Sequence, residues 1–275
     1  MYGPEGAPRL VVLHGGPGAH HDYLLPQMLR LAESHELLFY DQRGGGRSRS
    51  DDRAPITWRT QVEDLGRVAR EFDADPLSLV GYSWGGLLAL LYAIEAADGA
   101  ADGPAPSRLV LIDPAPVTRE YRRRFEAELE RRQGSGEVRA MREELAASGL
   151  RERDPEAYRQ RAFEVSVAGY FADPRRARDL TPFRVMGRVQ QSVWESLGEF
   201  DLVPRLGAVR APALILHGRQ DPIPLASSQA AARAMPDARL VVLEDCGHVP
   251  YVEQPEVLFE AIQEFLAETA DHTVR

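Results

Sequence analysis

The 275-residue sequence predicts an α/β fold in which a mostly parallel sheet, flanked by helices, is interrupted by a long helical insertion. Three observations carry this expectation. Short β-rich apolar runs alternate with helix-patterned stretches up to Ile112. The stretch from Val117 to Leu206 then shows helical patterns and almost no β-type run. Each predicted strand on either side of that stretch runs into a glycine-rich or polar loop, the place where open α/β sheets collect their ligands.

Taken in order, Leu10-Val11-Val12-Leu13 reads as a buried strand that opens into His14-Gly15-Gly16-Pro17-Gly18. Because this strand starts at residue 10, the expected sheet has a shortened N-terminal edge. The loop after it lets backbone amides approach a ligand closely. It carries neither the Gly-Lys-Ser/Thr ending nor the G-x-G-x-x-G frame of a phosphate loop. Glu36 to Tyr40 is a second strand, and the polar cluster Asp41-Gln42-Arg43-Gly44 after it reads as structural support for the site. Thr57 to Phe72 places Val62, Leu65, Val68, Ala69 and Phe72 at helical spacing. Leu77 to Val80 is a third strand, a helix begins just after Ser83, and Leu109 to Ile112 is a fourth strand ending in Asp113.

The insertion contains helical patterns at Tyr121 to Arg132 and Glu137 to Ala147, and it is expected to fold over the site as a cap. Strands resume at Ala213 to Leu216 and Arg239 to Leu243, joined by a helix over Ala226 to Met235. A last helix, Glu256 to Glu268, follows Pro255, a residue suited to a first helical turn. The expected organisation is therefore a core in two parts, residues 1–116 and 207–275, separated by a cap at 117–206.

Composition narrows the function. A net charge of −9 disfavours nucleic acid as a partner, and 44% hydrophobic residues are enough for an ordinary globular core. The single cysteine, Cys246, excludes an internal disulfide and a multi-cysteine metal site. The N-terminal residues do not read as a signal peptide, and no apolar run has the length of a bilayer span. The expectation is a cytoplasmic monomer or homodimer that acts on a small molecule or short peptide without metal or organic cofactor.

The chemistry centres on Gly81-Tyr82-Ser83-Trp84-Gly85-Gly86, a Gly-x-Ser-x-Gly sequence between a strand and a helix. In that context the serine sits on a sharp turn with its hydroxyl above the sheet, and the flanking glycines permit the close passage of chain. Ser83 is the candidate nucleophile, His248 the base and Asp221 the orienting acid, in the chain order expected for a triad on such a sheet. Asp113 is the rival acid and Asp245 lies near His248, while Cys246 is displaced as nucleophile by Ser83. The backbone amides of Gly16 and Trp84 are the candidate oxyanion hole.

These residues resemble the α/β-hydrolase superfamily and, within it, the proline iminopeptidase (prolyl aminopeptidase) family. The resemblance rests on His14-Gly15-Gly16-Pro17-Gly18, Asp41-Gln42-Arg43-Gly44 with Gly46-Arg47-Ser48, Gly81 to Gly86, Asp221 and Gly247-His248. It implies a capped serine hydrolase that works through an acyl-enzyme and removes an N-terminal residue, often proline, while acids of the cap hold the free amine. Gly15 and Glu195 are the substrate contacts expected on this basis. Members often carry a Glu directly after the triad Asp, whereas this chain has Pro222. That departure makes a carboxylesterase acting on neutral small esters the alternative. A receptor-like member that binds rather than turns over is a third reading.

Overall fold

The computed structural model describes residues 1–50 and 55–268. Six strands, β1 (Arg9–Leu13), β2 (Glu36–Phe39), β3 (Leu77–Tyr82), β4 (Pro106–Ile112), β5 (Ala213–Gly218) and β6 (Ala238–Leu243), form one sheet in the order β2-β1-β3-β4-β5-β6. All of the pairings are parallel, so the sheet is more uniform than the mostly parallel one expected. At the β2 edge there is an isolated antiparallel bridge between Tyr2 and Leu37.

Alternate residues of the central strands enter two separate cores. Val11, Leu13, Leu79, Leu109, Leu111, Ala213 and Ile215 face one side, and Leu10, Val12, Val80, Val110, Ile112, Leu214 and Leu216 face the other. This is why these strands read as unbroken apolar runs. The first core is closed by the helices Trp58–Glu71 and Trp84–Ala97, the second by Tyr23, Leu24, Met28 and the helix Pro255–Ala267. The helix Trp84–Ala97 is buried continuously from Trp84 to Glu95 and therefore has no polar face.

Between β4 and β5 the chain forms helices at Arg119–Gln133, Gly136–Ala147, Pro155–Val167 and Gly187–Leu197, and no strand. The first three of these begin at side-chain caps, Thr118, Ser135 and Asp154, whose oxygens accept amides of the first turn. The capping explains why the helix expected from Tyr121 starts two residues earlier, at Arg119.

The strand order places the site. The chain runs from β1 outward to β2, then returns across β1 to β3, so the connections diverge between β1 and β3. A crevice opens at the carboxyl ends of strands at such a switch point. Register does the rest: Leu13 lies opposite Gly81 and Tyr82 opposite Ile112. The glycine-rich loop, Ser83 and Asp113 therefore leave the sheet side by side.

Candidate active site

Ser83 occupies the turn between β3 and its helix at φ 53° and ψ −115°, a backbone state that costs on the order of 1–3 kcal/mol for a residue with a side chain. The surroundings enforce it. The Ser83 amide donates to the Ile112 carbonyl at 2.9 Å, and the Ser83 carbonyl accepts from Gly86, Leu87 and Ala115 at 3.0, 3.2 and 2.9 Å. Gly81 and Gly85 make the close passage possible, because a Cβ on Gly85 would collide with the Leu13 carbonyl and one on Gly81 with the Gly85 carbonyl.

The structure brings Ser83, His248 and Asp221 together. Ser83 Oγ lies 3.0 Å from His248 Nε2, and His248 Nδ1 lies 2.8 Å from Asp221 Oδ2. A carboxylate can only accept, so Nδ1 carries the hydrogen and Nε2 is left to accept the serine hydroxyl. Burial pushes the His248 imidazole down to about 4, which leaves it neutral and free to take a proton at ordinary pH. Asp221 is held by the Ile223 amide, which donates to Oδ1 at 2.7 Å, while burial pushes its carboxyl up to about 7.

Asp113 leaves β4 beside this group but does not meet the histidine. Its Oδ1 accepts the Gly218 amide at 2.8 Å, and its carboxyl lies within 4.8 Å of that of Asp221. Asp245 is absent from the hydrogen bonds of His248. Asp113, His217 and Asp221 form a buried set with ligand atoms within 4.8 Å of one another. A cation fits poorly there, because every ligand atom except Asp113 Oδ2 already has a protein partner. His217 Nε2 donates to the Ile223 carbonyl at 3.1 Å and its Nδ1 accepts from Ser228 at 2.9 Å.

Above Ser83 lies a cavity of about 220 Å³ whose lining includes Gly16, Ser83, Trp84 and His248. Its walls come from both the sheet loops and the insertion, among them Tyr23, Phe125, Tyr170, Phe183 and Trp194. No Asp, Glu, Lys or Arg lines it among the described residues; the polar groups contributed by side chains of the insertion are the Tyr170 phenol, the Trp194 indole N–H and the amide of Gln190.

Two expected substrate contacts are not in this cavity. Glu195 is exposed and accepts a hydrogen bond from Gln191 at 2.7 Å. Trp194 of the same helix faces the cavity, and one step along a helix turns a side chain by about 100°, so Glu195 points elsewhere. Gln190, four residues before Trp194, shares its face. Gly15 is buried, its amide donates to the Tyr23 hydroxyl at 2.9 Å, and it is not part of the cavity lining.

Sequence reasoning also missed the groups that hold the histidine loop. The His248 amide donates to the Tyr170 carbonyl at 2.7 Å, and the Tyr82 hydroxyl donates to the His248 carbonyl at 2.9 Å. The buried Glu253 carboxylate accepts the amides of Ala172 and Gly247 at 2.7 and 2.9 Å. Tyr170 lies 78 residues before His248 by number and nothing local links them, whereas Glu253 directly follows the apolar stretch Val249 to Val252, a signal the sequence does carry. The polar cluster after β2 is supportive, as its residue types suggest. Asp41 accepts the amides of His21 and Arg47, and Gln42 and Gln61 both accept the Trp84 indole N–H, at 3.0 and 2.8 Å.

A parallel sheet with helices on both faces and a strained serine turn at its switch point defines a hydrolase of the α/β class. The chain belongs to the alpha/beta hydrolase family, which it matches over residues 10–261. It is 27% identical to the proline iminopeptidase of Saccharolobus solfataricus, covering 97% of this chain and 87% of that protein. Among solved structures it resembles the proline iminopeptidase of Mycobacterium smegmatis (TM-score 0.67, 23% identity, 97% of this chain and 91% of the other). It also resembles a thermophilic esterase from Thermogutta terrifontis (TM-score 0.64, 25% identity, 96% and 90%). Among the described residues no helix is long and apolar enough to cross a membrane.

Proposed function

We propose that the protein is a serine hydrolase that cleaves a small, uncharged ester or amide with an apolar acyl group. The observation that carries this reading is the cavity itself: Ser83 and His248 open into aromatic and aliphatic walls without an ionic side chain. An ammonium group brought into such walls would lose its water without a carboxylate to replace it, at a cost of several kcal/mol. A neutral acyl group loses nothing of the kind and gains from burial against the rings.

In the proposed reaction Ser83 Oγ attacks the substrate carbonyl carbon while its proton passes to His248 Nε2. The oxyanion is received by the amides of Gly16 and Trp84, the latter lying in the first turn of its helix, where it has no carbonyl partner within the helix. His248 returns the proton to the leaving group, and a water molecule repeats the sequence on the acyl-enzyme. Asp221 holds the imidazole in the required tautomer throughout.

A second reading, an aminopeptidase acting on a free N-terminus, is favoured by the proline iminopeptidases among the relatives. Rates on nitrophenyl butyrate, proline nitroanilide and N-acetylproline nitroanilide separate the two. The first reading expects Ser83-dependent cleavage of the ester and indifference to N-acetylation. Cleavage confined to the free-amine anilide would replace it with the second.

A further inference from the structure

Asp113 has no part in the reaction proposed above, yet its side chain is fully buried against the acid that does. Its role rests on that of Asp221 as the orienting acid proposed above. Proton bookkeeping around the pair is closed on all sides but one. His217 Nε2–H is spent on the Ile223 carbonyl, so Nδ1 accepts from Ser228 and the ring has no donor for Asp113, 3.7 Å away. Asp113 Oδ1 has the Gly218 amide, whereas Asp113 Oδ2 has no donor from any described residue. Asp221 by contrast receives Ile223 N–H and His248 Nδ1–H. Of two carboxyl groups within 4.8 Å of each other in one buried site, the one with fewer donors keeps the proton.

We infer that Asp113 is a positioning residue, present as a neutral carboxylic acid whose O–H donates to the Asp221 carboxylate and so keeps the orienting charge on Asp221.

The other groups around Asp113 agree. His248 and Cys246 approach from the loop after β6, Tyr82 from β3 and Tyr251 from the short helix Pro250–Glu253, and all are buried. Of these only His248 could offset a negative charge on Asp113, and only when protonated. The positive charge of Arg132, from the insertion, favours the ionised form of Asp221. Burial and the neighbouring Asp221 together hold the Asp113 carboxyl well above the ordinary carboxylate range. The backbone is committed to this placement as well, since Asp113 adopts φ 41°.

The consequence is a chain of three donors on one carboxylate. Without the Asp113 hydroxyl, Asp221 would be a stronger base, would take up a proton at higher pH, and would then cease to orient His248. At alkaline pH the loss of the Asp113 proton would set two buried carboxylates against each other.

The test uses Asp113→Asn, Asp113→Ala and Asp221→Asn in the full chain. Infrared difference spectra of wild type against Asp113→Asn at pH 7 should show a protonated-carboxyl C=O band that the substitution removes. Asn retains a donor for Asp221 and an oxygen for Gly218, so kcat should fall less than about tenfold in Asp113→Asn and about 10- to 100-fold in Asp113→Ala. The acid limb of the kcat profile should move up by about one pH unit or more in Asp113→Ala and stay in place in Asp113→Asn. The alkaline limb of the wild type should be missing from Asp113→Asn. Absence of the infrared band, or equal losses in Asn and Ala with an unmoved acid limb, overturns the inference. Should Asp113→Ala fail to fold, the band and the alkaline limb of Asp113→Asn decide it. A near-wild-type rate in Asp221→Asn with the band intact would instead remove the reading of Asp221 and leave the protonation of Asp113 standing.

Discussion

Ser83 combines a strained backbone with a hydroxyl aimed at a neutral imidazole, and each property can be tested alone. Ser83→Ala should abolish turnover and leave the circular dichroism and thermal midpoint near wild type, since only the hydroxyl is removed; retention of most of the activity would remove Ser83 as nucleophile. Asp221→Asn should lower kcat by on the order of 10⁴-fold, because an amide can stabilise the wrong imidazole tautomer. These residues were legible because their chemistry is written locally, in a turn sequence or a Gly-His pair. Glu195 lies outside the lining of the cavity. Its charge attracted attention, but the direction of a helical side chain depends on which neighbour, here Trp194, is buried.

The turn and the insertion helix that faces it form the two sides of the cavity. Gly85→Ala should destabilise the protein by about 1–3 kcal/mol, read from the urea midpoint, because its Cβ would be driven into the Leu13 carbonyl and β1 cannot move without breaking its register with β3. On the insertion side, the helix Gly187–Leu197 presents Gln190 and Trp194 to the cavity. Gln190→Glu places a carboxylate on the rim of an apolar chamber. It should lower kcat/KM for the neutral ester and raise it for proline nitroanilide, measured on the same preparation; a uniform loss on both would show that Gln190 does not face the substrate. Most of the strands and helices could be placed from periodicity, with ends misplaced by one to three residues, as where the Thr118 cap starts a helix early or β4 begins at Pro106 instead of Leu109.

Stability over the whole molecule should depend on pH through buried groups of opposite tendency. His14 accepts the Gln42 amide at Nε2, and burial lowers it from 6.5 to about 4. Between those values the unfolded chain binds more protons, so the stability that neutral His14 contributes is complete above about pH 6.5 and disappears as pH falls towards 4. Comparison of wild type with His14→Gln should show the advantage of the wild type shrinking by about 3 kcal/mol over that window. Asp113 acts the other way. Its raised pKa means that its contribution is complete below the ordinary aspartate value of 3.8 and is lost at higher pH, so Asp113→Asn should gain stability relative to wild type as the solution becomes alkaline. An unchanged difference across pH in either comparison would mean that the group titrates alike in the folded and unfolded chain.

Read alone, the chain specified a parallel α/β sheet, a helical block between its fourth and fifth strands, a serine turn and the loops that carry Asp221 and His248. Each follows from local rules: apolar period, turn chemistry and the position of a polar loop at a strand end. Tertiary structure decided the contents of the chamber, the meeting of Asp113 with Asp221, and the anchoring of the histidine loop by Tyr170 and Glu253. Those depend on which distant segments meet once the sheet order is set. Burial, the largest cause of the shifts at His248, Asp221 and Asp113, exists only in the folded chain.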